Sequence, residues 1–244
     1  MRLKLLLLAG AAVLAACGTD DAPSGVSLNT GVGRIRLANA TPDTARARTI
    51  NAWFDDQPAV PLTANLAYGA STDYRPITPG THEMNVRRTS DTTIAVFDAP
   101  LDLTAGSDYT VLATGVSPDL APFTLTDDNA APDAGAVKLR VAHVAPSGGA
   151  VDVYVTAPTV ADITAETPTL SNVTFRSASG YLPLPAAAYR VRVTGAGTKT
   201  VLLDTAAPAV ALTLAAGQIR TLLVLDKPGV GLPLQASVLV DRNP

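Results

Sequence analysis

Apolar and polar side chains alternate with a period of two along much of this chain. Ile35 and Leu37 alternate with Arg34, Arg36 and Ala38. Val151, Val153 and Val155 alternate with Asp152 and Tyr154, and Tyr189, Val191 and Val193 with Arg190, Arg192 and Thr194. That spacing puts one set of side chains on each face of an extended strand, so each run predicts a half-buried β-strand. Turn residues follow the runs: Pro79-Gly80, Ala105-Gly106, Gly195-Ala196-Gly197 and Ala216-Gly217. Many short strands at this spacing predict antiparallel β-sandwiches of immunoglobulin-like type. The best helical candidate is the alanine-rich stretch 185–188, but its counterpart earlier in the chain is Pro79-Gly80, which predicts a turn.

The strand pattern occurs twice. Arg34-Ile35-Arg36-Leu37-Ala38 with Pro42 matches Lys138-Leu139-Arg140-Val141-Ala142 with Pro146 at one constant offset. Residues 50–54 match 151–155, residues 65–74 match 172–181, and Leu103-Thr104-Ala105-Gly106 matches Leu214-Ala215-Ala216-Gly217, all in the same order. This is a duplication of a unit far longer than a solenoid repeat and long enough for an independent small domain. The expected division is 33–133 for the first sandwich and 134–244 for the second, with the turn-rich stretch 126–133 as their junction.

One apolar run has a different character. Residues 5–14 are apolar and follow Arg2 and Lys4. A bilayer span needs about 20 apolar residues, so this run fits a signal peptide over 1–16. Leu14, Ala15, Ala16 and Cys17 match the four positions of the lipobox of bacterial lipoproteins. That resemblance implies cleavage between Ala16 and Cys17, a diacylglycerol on the cysteine sulfur and acylation of the new amino group by a chain such as palmitate. More than one acyl chain gives stable anchoring. Gly18 in place of the aspartate that favours inner-membrane retention points, by the same resemblance, to the outer membrane of a Gram-negative cell. Residues 17–32, small and polar after Cys17, read as a lipidated flexible tether.

Composition narrows the function classes. Cys17 is the only cysteine, so the mature fold holds no intramolecular disulfide and its stability comes from apolar cores. Without Arg2 and Lys4 the chain has 16 basic against 21 acidic residues. This mild acidity argues against nucleic acid, which needs a basic face, and no polybasic membrane patch occurs.

The order of motifs resembles the domain-of-unknown-function family DUF4397, found in bacterial surface and secreted proteins. The resemblance rests on a basic-apolar strand, a His-x-x-Pro turn and a Val-Asp-Val-Tyr-Val strand. The second copy has all three, in 138–142, His143-Val144-Ala145-Pro146 and 151–155. The first copy departs at Asn39 and Asn51. The family implies a fold and a surface location but no reaction.

The candidate sites are few. His143 and Ser147 with Asp152 nearby carry the residue types of a hydrolytic triad, but they sit at a strand end and a turn without an oxyanion loop. A hydrogen-bonded turn histidine is the simpler reading, and no catalytic residue is assigned. Two histidines in different copies supply no zinc site. Asp127, Asp128, Asn129 and Asp133 carry oxygen ligands suited to calcium but lack an EF-hand pattern, so no metal or other cofactor is expected. Trp53 and its counterpart Tyr154 are the candidate ligand contacts, on the strand face opposite the aliphatic residues, although packing for a second layer or for the domain interface is the simpler reading of both. Arg34, Arg36, Lys138 and Arg140 share a strand face expected to be solvated. The chain therefore reads as a non-enzymatic envelope lipoprotein, bound to a membrane through Cys17 and facing a protein or cell-wall partner. The alternative is a ligand-binding lipoprotein that recognises a glycan or small molecule through Trp53 and Tyr154.

Overall fold

The computed structural model describes residues 31–206, 212–229 and 231–244. The signal peptide, the cleavage site at Ala16 and Cys17, and all but the end of the tether lie outside the described residues. In the first half the elements are β1 (Gly33–Asn39), α1 (Thr44–Ala47), β2 (Thr49–Phe54), β3 (Thr63–Ala67), β4 (Arg75–Ile77), β5 (Gly80–Arg88), β6 (Asp91–Leu103), β7 (Asp108–Thr114) and β8 (Ala121–Asp127). In the second half they are β9 (Ala136–His143), a 3-10 turn (Pro146–Gly148), β10 (Val151–Thr156), β11 (Leu170–Val173), β12 (Ser177–Ala178), β13 (Leu182–Pro185), β14 (Ala187–Gly195), β15 (Val201–Asp204), β16 (Leu212–Leu214), β17 (Ile219–Lys227) and β18 (Gly231–Arg242).

Each half is a two-sheet sandwich. The first pairs sheet β4-β1-β7-β8 with sheet β3-β2-β5-β6. The second repeats this as β12-β9-β17-β18, with β13 also on β9, against β11-β10-β14-β15, with β16 on β14. The period-two runs become strands as the alternation requires, whereas the stretch 185–188, expected as a turn, holds the end of β13, a single bend at Ala186 and the start of β14. Two equivalent pairings differ from a wholly antiparallel expectation: β1 runs parallel to β7, and β9 to β17. Most of the intervening strands form the opposite sheet, with β4 returning to β1 and β12 and β13 to β9, and this long excursion brings the chain back beside its first strand in the same direction.

The inward side chains form one core in each sandwich. Ile35, Leu37, Ile50, Met84, Val86 and Val111 build the first, and Val137, Leu139, Val151, Val153, Val193 and Leu222 the second. A third apolar cluster lies between the sandwiches. Ala38, Leu112 and Leu125 of the first meet Ala142, Leu223 and Leu239 of the second. The sheets β4-β1-β7-β8 and β12-β9-β17-β18 thus pack face to face, and the described residues form four sheet layers and three apolar cores.

This packing corrects the solvated-face expectation. Arg36 is 2% exposed and Arg140 3%. Arg36 donates from Nε to Thr110 Oγ1 at 2.7 Å, from Nη1 to the Val240 carbonyl at 2.9 Å and from Nη2 to Asp241 Oδ1. Arg140 makes the equivalent set with Thr221, the Thr126 carbonyl and Asp127. Tyr74 and Tyr181 lie under the two guanidinium groups at 4.6 Å and donate to Asp127 and Asp241. Equivalent residues do equivalent work across an approximate twofold axis. Only Arg34 and Lys138 stay at the rim, paired with Asp108 and Asp128. The arginines alternate with core residues because their face meets a second sheet, which a single copy of the sequence does not disclose.

Candidate functional site

Four sheet faces point away from the two sandwich cores, and a binding surface needs one that is open. Two are buried against each other at the twofold interface. The third, on β10 and β14, carries Asp152, Tyr154, Arg190, Arg192 and Thr194. Segment 157–169 crosses it: Arg190 and Arg192 donate to the Val160 carbonyl, Lys199 donates to the Glu166 carbonyl, and Ile163 is buried. Tyr154 is 1% exposed, with Lys199 Nζ 4.7 Å from its ring centre and 3.1 Å from its hydroxyl. The Tyr154 ring is therefore covered, as the packing reading has it, and is not available as a ligand contact. Trp53 and Tyr154 also lie on opposite outer layers, so they form no common platform.

The fourth face, on β2, β5 and β6, carries Trp53 and Arg87, both partly exposed, exposed Asp98, and Asn85, which is buried. Trp53 faces outward because Ile50, Ala52 and Phe54 of the same strand take the core positions. It stands opposite Asn85 in the ladder, and Asn51 stands opposite Arg87. The Arg87 guanidinium lies 5.7 Å from the indole centre and grips Asp98 through both Nη atoms. Asn85 donates to Asp98 Oδ1 at 3.0 Å and accepts from the Asp56 backbone at 3.1 Å. Burial opposes ionisation of Asp98, but the hydrogen bonds from Arg87 and Asn85 hold its pKa below the usual carboxylate range. The result is a partly exposed indole beside a braced row of planar polar groups. Such a surface can stack on a flat or ring-shaped group and hydrogen-bond its edge. Sequence reasoning found Trp53 and missed Asn85, Arg87 and Asp98. The available signal was the polar alternation in β5, with Glu83, Asn85 and Arg87 between Met84 and Val86.

The residues of the triad reading do not converge. His143 is fully buried and its Nε2 donates to the Gly149 carbonyl at 2.7 Å. Burial pushes its pKa down, which keeps the ring neutral. The Ser147 backbone N–H points at both Asp226 oxygens at 3.3 Å. Asp152 accepts from the backbones of Asn172 and Gly197, each at 2.8 Å. Their first-copy counterparts also brace loops: Asn39 donates to the Ala47 and Leu66 carbonyls, and Asn51 accepts from Asn65 and Thr89. The four oxygen-bearing residues considered for calcium have other partners or lie in different elements. Asp127 belongs to β8 and spends its carboxylate on Arg140, Thr110 and Tyr74, and Asp128 pairs with Lys138. Among the described residues no three His, Cys, Asp or Glu side chains gather as a metal site.

No curated protein matches the chain. Among solved structures, a family 26 carbohydrate-binding module from Eubacterium rectale in complex with maltoheptaose is similar at 8% identity and a TM-score of 0.29. The match covers 86% of this chain and 98% of that one. A streptococcal virulence factor described by its alpha-glucan binding is similar at 11% identity and a TM-score of 0.26, covering 74% and 88%. The model of the family described as a domain of unknown function, DUF4397, matches residues 33–154, from β1 through the first sandwich into β10. With half of its length so matched, the chain belongs to the DUF4397 family.

Proposed function

We propose that this protein is a non-enzymatic interaction module of a bacterial cell envelope, held by lipid on Cys17, which meets its partner through the open face around Trp53. One observation carries the reading. Of the four outward sheet faces, two bury each other, one lies under segment 157–169, and the fourth leaves Trp53 and Arg87 partly exposed and Asp98 exposed, although Asn85 on it is buried. The lipobox match at 14–17 supports extracytoplasmic attachment, with Gly18 favouring an outer membrane. A specific observation favours a glycan as the partner's chemistry: the partly exposed indole lies beside the paired Arg87 and Asp98, an apolar plane with hydrogen-bonding groups at its edge.

Two experiments test this. Cys17→Ala moves the protein from the membrane fraction to the soluble one, and continued tight attachment refutes the anchor. A glycan array and in-cell crosslinking with the mature chain from residue 18, compared with Trp53→Ala, test the face. Loss of the captured ligand or partner in the variant supports it, and capture that ignores the substitution refutes it.

A further inference from the structure

One end of the first sandwich carries two cations at positions that continue its core. Arg48 lies two positions before Ile50 and Arg88 two positions after Val86, so they extend the inward stripes of β2 and β5 past the last core residues. Ile50 and Arg88 stand opposite each other in the ladder, and the Thr89 backbone donates to the Thr49 carbonyl one step further on. The Arg48 carbonyl accepts from the Tyr68 backbone at 3.2 Å, which fixes the entry into β2. Arg48, Arg88, Thr44, Thr49 and Ser90 line a recess of about 310 Å³, and among the described residues no acidic side chain lines it. Asn39, the last residue of β1, holds the Ala47 carbonyl beside it, so the recess lies at the far end of β1 from residue 31, where the described chain begins.

These two arginines are not spent on the fold. Arg34, Arg36, Arg87, Arg140, Arg176 and Arg190 each hold an aspartate. Among the described residues Arg48 has no hydrogen bond, ion pair or ring contact, and Arg88 has only a through-space attraction to Asp91. Asp91 is engaged elsewhere, since its Oδ1 accepts from both the N–H and the hydroxyl of Thr93. The hydroxyls of Thr44, Thr49 and Ser90 also lack a partner among the described residues. The second sandwich shows that this end closes without the cations. Val151 stands opposite Gly195 where Ile50 stands opposite Arg88, and Gly149 lies two positions before Val151. Glycine thus replaces both arginines in the copy, and the same strands still pair.

From this we infer that the recess between Arg48 and Arg88 is a second binding site, which takes a phosphate monoester. The paired guanidinium charges match a monoester, which carries about −1.5 to −2 near neutral pH. Their planar forks offer N–H groups to phosphate oxygens, and the three hydroxyls at the wall can donate to those that remain. A carboxylate brings less charge and fewer oxygens to the same donors. Free phosphate, a sugar phosphate and the headgroup of a phosphatidic acid share the chemistry the site reads. Trp53 does not line the recess, so the site is independent of the Trp53 face.

The test titrates the mature chain from residue 18 with inorganic phosphate, with glucose 6-phosphate and with phosphatidylcholine vesicles containing phosphatidic acid. Chloride at matched ionic strength, glucose, glucuronate and pure phosphatidylcholine vesicles are the controls. Binding is read by calorimetry and co-sedimentation, and its place by the NMR signals of the arginine Nε–H groups. The expected result is saturable binding in at least one phosphate arm, with shifts at Arg48 and Arg88, and the tightest arm identifies the source. Arg48→Gln and Arg88→Gln should each weaken it about tenfold. Arg46→Gln, which removes an exposed charge of α1 outside the recess, should leave it unchanged, as should Trp53→Ala. Absence of saturable binding in all three arms overturns the inference, as does equal binding of glucuronate. An equal loss in Arg46→Gln also overturns it, because the attraction is then diffuse. Glucose 6-phosphate binding that survives both single Gln variants and is lost in Trp53→Ala supports the Trp53 reading and refutes this one.

Discussion

Arg36, in the first strand of the molecule, holds Asp241, in the last, by a charge-assisted hydrogen bond between side chains only 2% and 0% exposed. Arg140 and Asp127 repeat the relationship at 4% and 0%. A buried pair is weak evidence for stability but is costly to halve, because the remaining charge loses both water and partner. Asp241→Ala is expected to destabilise the protein by about 3–5 kcal/mol in urea unfolding. Arg36→Met combined with Asp241→Leu should recover most of that loss. A single variant that costs less than about 1 kcal/mol would show that the stranded guanidinium is solvated after all.

The cluster between the sandwiches makes the two halves one folding unit. Leu112 and Leu223 are fully buried there, and Leu223→Ala should cost about 2–5 kcal/mol. Trp53, the only tryptophan, reports the first sandwich, and far-UV circular dichroism reports both. The two signals are expected to give one coincident transition in denaturant. Two separated transitions would mean that the halves unfold independently.

The two histidines should titrate in opposite directions from the reference value of about 6.5. The hydrogen bond to Asp55 raises His82, and burial lowers His143. The sign of each stability effect follows from linkage. The His82 contribution is fully present below the unfolded pKa and is lost as pH rises through the folded one. The His143 contribution is present above the unfolded pKa and is lost as pH falls towards the folded one. Histidine-resolved NMR titration checks both, and an order with His143 above His82 would contradict the geometry.

Trp53→Ala should separate binding from folding. The indole is half-buried on an outer face, and its contact with Arg87 is worth about 0.5–1 kcal/mol, so the melting midpoint should move by only a few degrees. If binding uses this face, the ligand should also change the emission of wild-type Trp53. A collapse in stability would instead make Trp53 a structural residue.

The sandwich architecture was legible because Ile35 and Leu37, or Val151 and Val153, alternate with a period that only a strand can use. The duplication was legible because turns and strand starts repeat in order. The destination of Arg36 and Arg140 was not, since alternation marks two faces without saying what meets the second. The role of Asp127 was hidden for a related reason: among Asp, Asn and Pro it resembles a loop residue until Arg140 arrives from another strand. Tyr154 and Trp53 are equivalent in sequence and differ only because segment 157–169 crosses one face. A long-range covering of that kind has no local signature.

The interface built from Arg36, Tyr74, Thr110 and Asp127 on one side and Arg140, Tyr181, Thr221 and Asp241 on the other is its own complement. Each half carries both the guanidinium that reaches across and the carboxylate that receives one. This is the condition for isologous pairing of two separate chains. Joining the halves through 128–135 turns what would be a concentration-dependent meeting of subunits into an intramolecular one. It also frees the halves to diverge, so that one keeps an open tryptophan face while the other carries a covered one.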